Sequence, residues 1–223
     1  MSFFYKFDKI IPFSKKGKLK LYLDLEWIFE RLAHEQSFRV FGDENHPVRN
    51  ASVNFLLDRL TSSHEVLDLG CKCGDLTFLL SKNVKSITGI DLDPKAIEDA
   101  NNKYGRYGIV FLNDDAIALL KRNKKKFDVL VLSHVLEHLE DPDSLLKSCR
   151  GYFDYVYIEA PDHDRTHLNL YRSEVKSSLR YSDADHIWEF DRRTLQKLMI
   201  DNNLIIQDME FIWGVQKYWC RVN

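Results

Sequence analysis

Residues 65–75 read Glu65-Val66-Leu67-Asp68-Leu69-Gly70-Cys71-Lys72-Cys73-Gly74-Asp75, and this stretch decides the fold. A short β-rich run, EVLDL, stops at a turn with two glycines and passes straight into a helical stretch from Asp75. Glycine is needed in such a turn because the backbone must approach a ligand closely and adopt conformations closed to residues with a Cβ. A second run, SITGID, ends on Asp91, 23 residues after Asp68. A carboxylate there can accept hydrogen bonds from both hydroxyls of a ribose. A dinucleotide site shares these two features but keeps three glycines to seat a pyrophosphate, and here Cys71, Lys72 and Cys73 crowd that position.

The alternation continues outward from this point. A helix is expected after Pro94; IVFL, FDVLVLS and YVYIEA read as strands, and a further helix running to Cys149 separates the last two. The central runs are apolar throughout, as strands covered on both faces should be. RRTLQKLMIDNN reads as a helix, and LIIQDMEFIW and QKYWCRV as two closing strands around Gly214. The expected class is α/β, a doubly wound, mostly parallel sheet of seven strands. Upstream, LYLDLEWIFERLAHE (21–35) carries apolar residues at helical spacing and Pro47 opens a second helix. Residues 1–48 are therefore expected to form an N-terminal helical extension or lid, and residues 49–223 the main domain.

Composition narrows the function. With 44% hydrophobic and 30% charged residues the 223-residue chain is a folded domain, and a net charge of −2 is not that of a dedicated nucleic-acid binder. Lys6, Lys9, Lys15, Lys16, Lys18 and Lys20 against Asp8, and the run KRNKKK (121–126), read first as a solvated tail and loop. Cys71, Cys73, Cys149 and Cys220 form no disulfide framework and no zinc-like CxxC pair, which points to a reducing, cytoplasmic compartment. No apolar run approaches the roughly 18 residues that spanning a bilayer requires. The amphipathic start, MSFFYKFDKIIPFSKKGK, is expected to pack on the domain, with a membrane surface or a partner as the alternative.

Four motifs in order, VLDLGCKCGD, GIDLDP, NDDA and FDVLVLSHVLEHLEDP, resemble those of the class I, Rossmann-like S-adenosylmethionine-dependent methyltransferases. That resemblance implies S-adenosyl-L-methionine as cofactor. Asp68, Gly70, Cys71 and Gly74 would line its methionine part, Asp91 with Leu92 its ribose, Asp115 with Ala116 its adenine, and Ser133 with His134 its sulfonium. Lys72 departs from the family pattern, which has a glycine there, and leaves a non-catalytic cofactor-binding module as a second reading.

Methyl transfer to a hydroxyl is an in-line displacement that also needs a proton acceptor, and histidine suits that task near neutral pH. His134, directly after the fourth strand, is the first expectation and His163, just past the fifth, the second. The expected reaction is O-methylation of a small-molecule or glycan-type acceptor; nucleic acid is not the expected partner. No metal is assigned. An alternative follows from a partial resemblance to small-RNA 3′-end 2′-O-methyltransferases, which bind a divalent metal. Placed on a helix, His134, Glu137 and His138 would share a face at i, i+3, i+4 spacing, with His186 as a possible fourth ligand.

Overall fold

A computed structural model describes residues 6, 8–42, 45–123, 126–179, 183 and 185–223. Parts of two stretches singled out above therefore lie outside the described residues, the amphipathic start (1–5 and 7) and the basic run (Lys124, Lys125). The chain begins with α1 (Lys15–Phe41) and α2 (Pro47–Leu57). There follow β1 (Glu65–Leu69), α3 (Asp75–Ser81), β2 (Ser86–Asp91), α4 (Pro94–Tyr104), β3 (Val110–Asn113) and α5 (Ala116–Asn123). The second half holds β4 (Val129–Ser133), α6 (Pro142–Cys149), β5 (Tyr155–Pro161), α7 (Leu168–Glu174), α8 (Arg192–Asp201), β6 (Leu204–Ile212) and β7 (Val215–Val222).

The seven strands form one sheet in the order β3-β2-β1-β4-β5-β7-β6. Strands β1 to β5 pair in parallel, and β7 runs antiparallel to both β5 and β6. The closing hairpin turns at Trp213 and Gly214, both at positive φ, which is the backbone twist a two-residue hairpin loop requires. Alternation along the buried strands feeds two cores. Leu67, Leu130 and Leu132 face the layer that contains Leu120, Leu146 and Leu195, while Val66, Val129 and Val131 face the one that contains Leu56, Leu80 and Ile97. A fully buried aliphatic side chain of this kind contributes about 1.5–3 kcal/mol.

Several helices start where local chemistry dictates. Asp93 and Asp141 accept from the amides of Lys95 and Ser144, each just ahead of a proline at the first helical position, and Asp191 accepts from Thr194 N. The cap at Asp141 also corrects an expectation. Residues 136–138 form a single 3-10 turn and the helix begins only at Pro142, so His134, Glu137 and His138 are not successive positions on one α-helical face.

Strand order reverses between β1 and β4, because the chain runs from β1 outward to β2 and β3 before returning to β4 on the other side. The carboxyl ends of β1 and β4 therefore flank the crevice where open α/β sheets bind their ligands.

Candidate active site

The loop after β1 holds three left-handed residues, Gly70 (φ 76°), Lys72 (φ 47°) and Gly74 (φ 79°). A Cβ at Gly70 would lie 2.9 Å from Val135 Cγ2, and one at Gly74 2.6 Å from the Phe111 ring, so both glycines are required by space as well as by φ. The amides of Gly70 and Cys71 donate to Ile90 O at 2.8 and 3.2 Å, which ties the loop to β2. Asp91 continues the tie, since its carboxylate accepts from Lys72 N and Asp93 N, each at 2.9 Å.

Lys72 occupies a conformation that costs a side-chain-bearing residue about 1 kcal/mol. Lys72→Gly should therefore raise the melting temperature by about 2–4 °C, with cofactor affinity kept or improved. A thermal melt checks this, and a lower melting point would mean that the lysine side chain holds the loop in some other way.

Asp68, at the end of β1, is buried and accepts from Thr77 Oγ1 at 2.6 Å. Burial pushes its carboxyl up to about 6, against the hydrogen bond from Thr77 and the charge of Arg49. Asp68, Gly70, Cys71, Ser133 and His134 all line one cavity of about 880 Å³. Asp91, Leu92, Asp115 and Ala116 lie outside this lining, along the neighbouring strand ends. Asp115 accepts from Ala118 N in the first turn of α5, and Leu92 is exposed.

The far side of the cavity is built from distant parts of the chain. Trp27, Arg31, His34 and Phe38 of α1 line the cavity, and so do His138, Glu159, Asp185 and His186. The segment after residue 185 is fastened to the 3-10 turn, as Ile187 N and Trp188 N both donate to Glu137 O and Trp188 Nε1 donates to Leu139 O. Glu137, His138 and His186 consequently bring donor atoms within 4.8 Å of one another. His186 Nδ1 lies 3.1 Å from Glu189 Oε1, and His138 Nδ1 3.4 Å from Asp185 Oδ2. Glu137 Oε2 is buried with no hydrogen-bond partner among the described residues.

The two histidines expected to move a proton stand elsewhere. His134 Nδ1 lies 3.0 Å from Glu137 Oε1 and its Nε2 3.4 Å from Glu159 Oε1. Burial alone would push this ring down, but the hydrogen bonds and charges of the two carboxylates lift it to about 10, so it is an imidazolium near neutral pH. Glu159, which Ser52 and Tyr157 also reach, is held down at about 2 despite its burial. His163 does not line the cavity; its Nδ1 is 3.7 Å from Glu189 Oε2. Sequence reasoning missed Glu159 and Thr77, and it expected an N-terminal lid without naming the α1 residues that line the cavity. An acid inside the otherwise apolar run YVYIEA was the one available signal for the first.

A doubly wound sheet with a glycine turn and an acidic strand end at its switch point defines the Rossmann-like, nucleoside-binding class. The chain belongs to the methyltransferase-domain family, which it matches over residues 43–207. It is 31% identical over 129 residues to the ubiquinone biosynthesis O-methyltransferase of Pseudomonas entomophila, and equally so to that of Pseudomonas fluorescens strain Pf0-1. In both cases the match covers 54% of this chain and 54% of the relative, so the chain spans about half the length of the curated relatives it matches. Among solved structures it is similar to magnesium protoporphyrin IX methyltransferase from Synechocystis with bound SAH (TM-score 0.63, 17% identity, 87% of this chain and 94% of that one). It is also similar to the methyltransferase domain of bacterial CtHen1-C (TM-score 0.62, 19% identity, 81% of this chain and all of that one).

Proposed function

We propose that the chain transfers the methyl group of S-adenosylmethionine to an oxygen of a small acceptor. The observation that carries this reading is the single cavity that joins the cofactor loop to the polar wall under α1. The glycine turn supplies open backbone for the methionine part, and Asp91 and Asp115 stand at the strand ends where ribose and adenine would lie. The bound cofactor would present a methyl group on a sulfonium for in-line attack, with the carbon–sulfur bond breaking as the carbon–oxygen bond forms.

This chain's residues then do three things. With both carboxylates ionised, His134, Glu137 and Glu159 carry a net charge of −1, so the imidazolium sits beside a sulfonium without net repulsion. Glu189 holds His186 through Nδ1, which leaves Nε2 to accept the acceptor's hydroxyl proton, a role that His134 as an imidazolium and His163 behind Glu189 are poorly placed to fill. Residues 1–48 serve as a lid over a catalytic domain of residues 49–223, a reading supported by Trp27, Arg31, His34 and Phe38, which line the same cavity as the cofactor loop. The test is turnover with labelled cofactor over phenolic, catecholic and sugar hydroxyl acceptors. Methylated product with stoichiometric S-adenosylhomocysteine supports the reading, and tight cofactor binding with no product from any of them favours a binding module.

Asp68 offers a separate check. The methionine part carries an ammonium group, so cofactor affinity should rise about tenfold from pH 5 to 7.5 as Asp68 ionises through about 6. Calorimetric titration of the parent chain and of Asp68→Asn, in which the rise should vanish, measures it; a flat profile in the parent would remove Asp68 from the site.

A second reading is favoured by the orphaned Glu137 Oε2. Glu137, His138 and His186 suit a divalent cation, the imidazoles being oriented through Nδ1 by Asp185 and Glu189 in the manner of metal-bound histidines. Such an ion would supply a Lewis acid for the acceptor oxygen, with the three side chains as its holders. Manganese titration followed by electron paramagnetic resonance tests it. Saturable binding lost in His186→Ala supports the cation, and no binding at millimolar manganese leaves His186 as the base.

A further inference from the structure

Helix α1 is amphipathic in an inverted sense. The charged residues along its middle point at the protein: Glu26 pairs with Arg172, Glu30 with Arg165, Arg31 with Asp183, and Ser177 donates to Asp24. Arg172 is almost fully buried and also donates to the Leu23 carbonyl, so the inward face is firmly docked. The opposite face carries Tyr22, Leu25, Ile28, Phe29 and Leu32, at the i, i+3, i+6, i+7, i+10 spacing of a single stripe, and all five are exposed, Phe29 by 66%. Ile10 and Phe13, just ahead of the helix, are more than half exposed. A stripe of this extent facing solvent is unusual for a surface with no partner.

Its charge identifies the partner. Lys6, Lys9, Lys15 and Lys16 are exposed at the amino end of the stripe. Every acid between residues 6 and 34 is already engaged by this chain, Asp8 by Lys18 and Tyr22 and the other three as described. The outer surface therefore pairs an apolar stripe with uncompensated positive charge. Self-association would set lysines against lysines in a parallel pair, or beside Arg39 in an antiparallel one.

We infer that α1 docks the protein on an anionic lipid surface, with Leu25, Ile28, Phe29 and Leu32 entering the acyl boundary and Lys15 and Lys16 meeting lipid phosphates. Shallow insertion of an apolar stripe beside basic residues is how interfacial helices bind, and the stripe's length, about 1.5 Å per residue, suits one lying flat. The cavity wall lies on the inward face of the same helix, so docking leaves the site intact.

The experiment is co-sedimentation of the full chain with phosphatidylcholine vesicles and with vesicles in which about a third of the lipid is phosphatidylglycerol. Binding is expected to the anionic vesicles and not to the neutral ones. Lys15→Gln with Lys16→Gln should lower it about 25-fold, at about fivefold per lysine. Leu25→Ser with Phe29→Ser should abolish it while circular dichroism and melting temperature stay unchanged, since both residues are exposed. Equal binding to both vesicle types, no binding to either, or retained binding by the serine variant overturns the proposal. So does a dimer in sedimentation equilibrium that the serine substitutions dissociate, which would assign the face to a second copy of this chain.

Discussion

Asp91→Ala should weaken S-adenosylmethionine binding about 100-fold while the domain stays folded. The carboxylate ends β2 at the mouth of the sheet, beside the loop that carries Gly70 and Gly74. Two ribose hydroxyls bound to a charged acceptor contribute about 1.5–3 kcal/mol each, so loss of the pair costs at least two powers of ten. The amides of Lys72 and Asp93 also lose their acceptor, but these bonds lie at the surface, where water replaces it. Calorimetry with the cofactor, together with a melting curve, separates the two effects. Unchanged affinity would sink the ribose assignment, whereas loss of the melting transition would show that Asp91 holds the fold and not the ligand.

The second large effect is on stability. Glu159→Ala should lower the melting temperature by about 4–16 °C, corresponding to about 2–4 kcal/mol, because it removes a buried acceptor and one of the two counter-charges of the half-buried His134 ring. It also strips Ser52 Oγ, 2.6 Å away, and the Tyr157 hydroxyl of their acceptor. Ser52→Ala removes only one hydrogen bond from the cluster and should cost about 1 kcal/mol. Melting curves of the two variants compare a broken ion cluster with a trimmed one. Equal small shifts would show that water takes over Glu159's role, and the buried cluster would then contribute little to the fold.

The glycine turn and Asp91 were legible because both are local. A tight turn between a strand and a helix leaves its mark in neighbouring residues, and the strands are short runs whose patterning survives without knowledge of what covers them. His134 shows where local reasoning stopped. Its spacing to Glu137 and His138 suggested a shared helical face, but Asp141 and Pro142 start the helix one turn later. His134 itself takes a left-handed conformation, φ 54°, that sends its ring to Glu159 on the neighbouring strand. His163 was placed near the site by chain order alone, and the segment after residue 185 put Glu189 against it instead.

The layered α/β fold, with its crevice at the carboxyl ends of β1 and β4, was legible in the sequence alone, since it depends on periodicity and on turns a few residues long. Packing in three dimensions settled what local pattern could not: that His134 lies between two carboxylates, that Glu137 keeps one buried oxygen without a partner among the described residues beside His138 and His186, and that α1 turns its apolar side outward. Each of these depends on partners more than twenty residues away, Glu159 for His134, His186 for Glu137, Arg165 and Arg172 for α1. A charge's protonation and a helix's outward face are set by the groups packed against them, and those groups meet only when the sheet closes.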